Sequence, residues 1–411
     1  YKAEAGMHST PVLRALNYKY LCTHKRIYIG AEELIVGERG PVPKAVSTFP
    51  ELTCHTAEDL AILNERPMAS FRVAPADIET YAEEVIPYWQ GRSMRDRVFA
   101  KVPDDWRAAY EAGLFTEFME QRAPGHTALD GLIYRKGMRD LQADIQVAMN
   151  ALDYLEDPDA TAKSQALEAM AIACQATIIF AERHADLAEK MASTCSDDVR
   201  RRELRRIAAV CRRVPAQKPR NFWEALQMYW FVHLGTITEL NGWDAMSPGH
   251  LDQHLQPFFE QGLAEGSLDR DTAKELLGCF WIKFNNQPAP PKVGVTAKES
   301  GTYNDFTNIN LGGLRADGGE GSNPVSYLIL EVVDALKLLQ PQCNVQVSDR
   351  TPQRFLKAAA RVIRKGYGYP SVFNADAVVM EQVRAGKTVE DAREGGCSGC
   401  IETGAFGKEA Y

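Results

Sequence analysis

The sequence predicts an α/β protein whose first part is mostly helical and whose later part alternates strand and helix. Two observations carry this. Over 163–192, Leu167, Met170, Ala171, Cys174, Ile178, Ala181, Ala185 and Ala188 recur at spacings of three and four, which is one buried helix face. Further on, Asn308–Leu311 and Cys343–Ser348 alternate polar and apolar residues as strands do, with helical stretches between and after them. No internal repeat or low-complexity linker divides the chain, so one large domain is expected.

The totals agree with a globular protein. The chain has 411 residues, 45% of them hydrophobic and 25% charged. A net charge of −8 argues against a general binder of nucleic acid or of acidic membranes. Nine cysteines, an odd number scattered from Cys22 to Cys400, do not look like a disulfide framework and favour a reducing cytoplasm. The opening Tyr1-Lys2-Ala3-Glu4 has no apolar run, so no signal peptide is expected. The most apolar candidate for a membrane span, Met228–Leu240, is too short and carries His233 and Glu239, so no spanning stretch is expected either.

Taken in order, the chain begins with a short helix and a strand-like Leu34–Val36. Thr56 is a candidate N-cap for helical residues from Ala57 onward. Trp106–Met119 reads as helix, broken by the Pro124-Gly125 turn that presents Arg122 and His126. The region from Tyr134 to Arg213 is helical, with Asp197–Arg206 as a solvated, charged face. Asn221–Leu240 reads as a buried helix, and Asp244 after it is either a pocket group or a turn cap. His250 and His254 lie four apart on a predicted helix, 248–262, where a metal could meet them from one face. The glutamate of a metalloprotease H-E-x-x-H is absent, and surface or core histidines fit better. Ser267–Asn286 is amphipathic and closes on three prolines between 288 and 291. Helices then follow at 324–340, 352–366, 375–385 and 389–394, with a short β run at Ser371–Asn374.

That alternation delivers the chain to Gly395-Gly396-Cys397-Ser398-Gly399-Cys400-Ile401-Glu402-Thr403-Gly404. Glycine at this density permits tight turns and close backbone approach. Four readings compete. A zinc or iron–sulfur site lacks a second cysteine pair. A thioredoxin-like pair should follow a strand, whereas this one follows a helix. A purely structural turn is possible, and so is a reactive thiol with Glu402 as its acid/base partner.

Gly399-Cys400-Ile401-Glu402 resembles the G-C-x-E active-site loop of glycyl radical enzymes, the pyruvate formate-lyase-like family. The resemblance runs through Glu33-Leu34-Ile35-Val36-Gly37-Glu38, Arg122-Ala123-Pro124-Gly125-His126-Thr127 and Phe284-Asn285-Asn286-Gln287-Pro288-Ala289-Pro290-Pro291-Lys292, and so covers essentially the whole chain. It implies a ten-stranded α/β barrel of two antiparallel five-stranded halves, surrounded by helices, with the cysteine loop inside. This chain would form part of that fold, as one domain over 1–411. A helical layer would occupy about 1–290, and barrel strands with the cysteine loop about 291–411.

The resemblance also implies chemistry. A thiyl radical at Cys400 removes a hydrogen atom from substrate while Glu402 moves a proton. Within the family the sequence looks most like members that dehydrate trans-4-hydroxy-L-proline to pyrroline-5-carboxylate. Asp244 then matches the aspartate near the substrate amine, and Phe118, Ser300 and Phe306 match pocket positions. A buried carboxylate suits a ring ammonium, and phenylalanines suit an apolar ring face. Sister activities are a C–S lyase acting on isethionate or dihydroxypropanesulfonate, a diol dehydratase and an arylacetate decarboxylase. A sulfonate wants several cations, and Arg122 is the one obvious cation near these positions. Cys397 receives no role. No metal or bound cofactor is implied. The radical glycine of the family, in an R-V-x-G-Y-like motif, does not occur in this chain. It would be installed by a radical S-adenosylmethionine activating enzyme, in a cytoplasmic homodimer that has no nucleic-acid or membrane partner. Without that glycine, a small-molecule-binding portion with no turnover of its own is the non-enzymatic reading.

Overall fold

The computed structural model describes residues 6–66, 71–115, 129–239, 246–294, 307–399 and 401–408. Its first part is helical. Thr10–His24 lies along the 35-residue helix Ala160–Thr194, with the Tyr18 hydroxyl 3.2 Å from Thr177 Oγ1. Arg183 of the long helix donates to the carbonyls of Cys22 and Lys25 at 2.6 and 2.7 Å. Met138–Asn150 and Asp198–Arg213 pack on the same helix. The expected face is buried at Cys174, Ile178, Ala181, Ala185 and Ala188, whereas Met170 is exposed because the first turns lie at the surface.

Ala160–Thr194 is long and apolar enough to cross a membrane by length and composition, contrary to the sequence expectation that no stretch would be. The alanines that raise its apolarity let three helices approach it, which is a packing use of the same composition. Thr56 caps its helix as expected. Its hydroxyl accepts from Asp59 N at 3.1 Å and the Asp59 carboxylate accepts from Thr56 N at 2.9 Å. The helix expected over 106–119 is shorter: it spans Asp104–Glu111 and gives way to Gly113, whose φ is +74°.

Leu34–Val36 was expected to be strand-like, and the structure corrects this. The segment is extended and buried, but side chains rather than a neighbouring strand satisfy its backbone. Phe222–Glu239 presents Trp223, Gln227 and Trp230 from one face, at spacings of four and three. Trp223 Nε1 donates to Leu34 O at 3.0 Å and Trp230 Nε1 to Gly37 O at 2.9 Å. Gln227 brackets Val36, donating to its carbonyl at 2.8 Å and accepting from its N–H at 2.9 Å. Beside it, buried Lys283 pairs with Glu33 at 2.5 Å and Glu38 at 2.7 Å, and Gln287 also donates to Glu38. The sequence-distant stretches 33–38 and 284–292 are therefore neighbours in one buried polar seam. Asp197–Arg206, expected as a solvated face, also contributes to it: Arg200 reaches the carbonyls of Gly30 and Glu33, both at 2.9 Å.

Among the described residues the later part holds a parallel sheet of three strands, β1 (Asn308–Gly312), β2 (Gln342–Val347) and β3 (Ser371–Asn374), in that spatial order. Pro324–Leu336 links β1 to β2 and Gln353–Ile363 links β2 to β3, as parallel pairing requires. The first of these helices stops at Lys337, in left-handed conformation, short of the expected 340. Ile309, Leu311, Cys343 and Val345 turn into the main core with Val325, Ile329 and Phe355. The opposite face, Asn308, Asn310, Asn344 and Gln346, is also buried. Buried amides need partners: Asn344 and Gln346 donate to Asn308 and Asn310, and these two reach the last hairpin, β4 (Gly396–Ser398) and β5 (Glu402–Gly404).

Replacing Gln227 by Leu strips both partners from the buried Val36 peptide groups. The expected loss is about 3 kcal/mol, from the usual cost of orphaned buried donors and acceptors. Urea unfolding of the variant against the parent measures it.

Candidate active site

The cysteine stretch is a hairpin clamped onto the polar face of the sheet. Asn310 acts like a short piece of neighbouring strand. Its Oδ1 accepts from Cys397 N at 3.0 Å and its Nδ2 donates to Cys397 O at 2.9 Å. Gln346 Nε2 donates to the same Asn310 Oδ1 at 2.7 Å and fixes which way the amide points. One rung along, Asn344 donates to Asn308 Oδ1 at 2.9 Å, and Asn308 Nδ2 donates to Gly399 O at 3.2 Å.

His250 holds the entry to the hairpin, its Nε2 lying 2.8 Å from Gly395 O. A carbonyl only accepts, so the proton is on Nε2. Burial pushes the imidazole down to about 4, against the pull of that carbonyl, so it is neutral at neutral pH.

Glycine is required here for approach as much as for turning. A Cβ on Gly396 would collide with the amides of Gln346 and Asn310 and lie 2.9 Å from the Phe406 ring. One on Gly395 would lie 2.5 Å from Gly404 O. Gly399, with φ +51°, opens the turn.

The register pairs Ser398 with Glu402 and Cys397 with Thr403. Glu402 is exposed, and its carboxylate accepts from Ile401 N at 3.0 Å. Thr403 Oγ1 donates to Glu381 at 2.7 Å, which holds the second arm from the helix Ala375–Arg384. Cys397 is fully buried. Burial, with the charges of Glu402 and Glu381, pushes its thiol up to about 12, so it is a protonated thiol and a poor nucleophile or metal ligand. The eight described cysteines are free thiols.

His250 and His254 do not converge. His250 sits just before Leu251–Glu265, and His254 turns to Asp130, Nε2 to Oδ1 at 2.9 Å, with the Tyr134 ring stacked on it at 5.2 Å. Among the described residues no three His, Cys, Asp or Glu side chains are grouped as metal ligands.

Of the residues expected to form the site, Glu402 is described. Cys400, Asp244, Phe118, Ser300 and Phe306 lie outside the described residues, as do Arg122 and His126. Their described flanks do meet. Thr307 Oγ1 donates to Met246 O at 3.1 Å, Asn308 N to Ser247 Oγ at 3.2 Å, and Asn310 N to Gly249 O at 3.0 Å. Residues 246–249, Thr307 and the hairpin thus come together at β1. Gly407 packs against Asp130 just after the hairpin. Sequence reasoning missed Asn308, Asn310, Asn344 and Gln346. Their signal was there, because Asn is depleted in strands, and alternating amides on two strands mark a polar face with something to hold.

A family model described as Pyruvate formate lyase-like matches residues 1–411. The chain belongs to that family. This pyruvate formate lyase-like chain is 53% identical over 411 residues to trans-4-hydroxy-L-proline dehydratase from Clostridioides difficile, covering 100% of itself and 52% of that protein. It superposes with a TM-score of 0.95 on the crystal structure of hydroxyproline dehydratase from the same organism with trans-4-hydroxy-L-proline bound, again over 100% and 52% of the two chains. A glycyl radical enzyme from Archaeoglobus fulgidus matches with a TM-score of 0.87 at 31% identity, over 98% and 52%. Isethionate sulfite-lyase from Oleidesulfovibrio alaskensis is 30% identical, over 96% of this chain and 49% of its own. The chain thus spans about half the length of the relatives it matches. Its fold is α/β and mostly helical, like theirs.

The Asp130–His254 pair makes stability pH-dependent. Burial opposes both charges, but the His254 cation and its hydrogen bond hold Asp130 below its ordinary value, while the Asp130 carboxylate holds His254 above its own. The pair's contribution is full between about pH 4 and 6.5, the unfolded values. It fades as pH rises through the elevated histidine value and as pH falls through the depressed aspartate value. The stability difference between parent and His254→Gln, measured by urea unfolding across pH, should peak in that window and shrink on both sides.

Proposed function

We propose that this chain carries the thiyl cysteine of a glycyl radical dehydratase that converts trans-4-hydroxy-L-proline to pyrroline-5-carboxylate. The observation that carries the reading is identity of 53% along the whole chain to a hydroxyproline dehydratase, against 30% to a C–S lyase. The clamped G-C-x-E hairpin supports it.

In the proposed reaction the Cys400 sulfur radical takes a hydrogen atom from C5 of the substrate and becomes a thiol. The C4–O bond then breaks, Glu402 delivers the proton with which hydroxide leaves as water, the ring nitrogen gives up one N–H proton that restores the Glu402 acid, and the product radical takes a hydrogen atom back from the Cys400 thiol. Asp244 pairs with the ring ammonium, Phe118 and Phe306 pack on the ring and exclude water, and Ser300 completes the pocket. A radical glycine supplies the oxidising equivalent that makes the thiyl. Fully buried Cys397 and the buried polar face behind it fit chemistry that must be shielded from solvent.

We further propose that 291–411, with β1–β3 and the hairpin, forms part of a ten-stranded barrel of two antiparallel halves, with 1–290 as its helical layer. The radical glycine would lie in a portion outside this chain. A radical S-adenosylmethionine enzyme would install it, and the assembly would be a homodimer in an anaerobic cytoplasm.

The test is anaerobic activation of the full-length protein with its activating enzyme, followed by assay of hydroxyproline and isethionate. Hydroxyproline should be dehydrated; turnover of isethionate alone would sink the substrate assignment. Cys400→Ser should abolish turnover. Glu402→Gln should lower kcat by roughly 10²–10⁴-fold, the usual weight of a general acid. Asp244→Asn should impair hydroxyproline turnover strongly, and near-normal kcat/KM would remove Asp244 from the site.

A further inference from the structure

We infer that Asn310 is a positioning residue for the reactive cysteine, acting through the hairpin backbone; this rests on the proposed radical chemistry at Cys400. The reactive sulfur must come within reach of one substrate hydrogen and of its own radical source. A hairpin held only by its own three residue pairs is too short to hold a fixed position. Its first arm is instead fixed from outside at three successive points. His250 takes Gly395 O, Asn310 takes both peptide groups of Cys397, and Asn308 takes Gly399 O, the carbonyl joined directly to residue 400.

Asn310 is the centre of that set. It is fully buried, it makes two of the contacts, and it is itself oriented by Gln346. The main chain of β1 is committed in the plane of the sheet, to β2 on one side and through Asn310 N to Gly249 O on the other, so the contact to the hairpin on the face of the sheet is made by the side chain. Gly396 completes the arrangement, since any side chain there would push the arm off Asn310 and Gln346. The side-chain amide thus sets the height of the cysteine turn above the sheet. Misplacement of a reacting group by about 1 Å can cost on the order of 10²-fold in rate.

The isosteric change Asn310→Asp keeps the acceptor for Cys397 N and removes the donor to Cys397 O; Asn310→Ala removes both. Each full-length variant is compared with the parent in two ways. Before activation, N-ethylmaleimide labelling is followed separately at Cys397 and at Cys343, a thiol buried on the apolar face of β2. After activation, glycyl radical content is read by electron paramagnetic resonance, and kcat and KM are measured on hydroxyproline.

Positioning predicts that Cys397 labels at least about tenfold faster with Cys343 unchanged. It also predicts that radical content stays within about twofold while kcat falls by 10- to 100-fold at near-constant KM, with the larger fall in Asn310→Ala. Labelling of both thiols together, a kcat loss that tracks radical content, or a kcat within twofold of the parent overturns the inference. A parent inert to hydroxyproline but active on isethionate overturns only the substrate assignment, and the variants are then compared on isethionate.

Discussion

The hydrogen bonds between the Asn310 side chain and the Cys397 peptide are the contact on which the rest of this arrangement depends. A parallel sheet buried on both faces would ordinarily be apolar on both. Here one face carries Asn308, Asn310, Asn344 and Gln346, and each such amide is costly to bury without partners. The cost is met by a reciprocal arrangement. Asn344 and Gln346 donate to Asn308 and Asn310 across β1 and β2, and those two pair with carbonyls and an N–H of the hairpin. Sheet and hairpin therefore specify each other, since neither has a satisfied backbone and a buried surface alone.

The helical layer uses the same device. The segment 33–38 runs extended through a buried seam without pairing as a strand, and Trp223, Gln227 and Trp230 hold it as Asn310 holds the hairpin. Lys283 lies between Glu33 and Glu38 and pairs with both where they enter the seam. Side-chain amides and indoles thus stand in for strands wherever a segment must be fixed but must not join a sheet. Ladder pairing would fix its register to a neighbouring strand, whereas individual side-chain clamps set its height independently of the sheet's own register.

Much of the candidate site was legible in sequence order. Gly399-Cys400-Ile401-Glu402 and the motifs at 33–38, 122–127 and 284–292 were sufficient to mark the family. The strands at 308–312 and 342–347 followed from alternation over 308–311 and 343–348, and the strand at 371–374 was read as a short β run. Cys397, to which the sequence reading gave no role, is a buried thiol held through its backbone. The histidine pair shows where spacing misleads. His250 and His254 stand four apart, but His250 caps the helix rather than lying in it. One ring therefore faces Gly395 and the other Asp130.

The sequence by itself determined the element order, the helical first part and the glycine-rich cysteine loop, because periodicity and glycine placement are local properties of the chain. Only the tertiary structure decided why the loop is where it is. The partners of Cys397, Gly395 and Gly399 come from positions 310, 250 and 308, far away along the chain, and their amide and imidazole groups reveal their use only when burial removes water as the alternative partner.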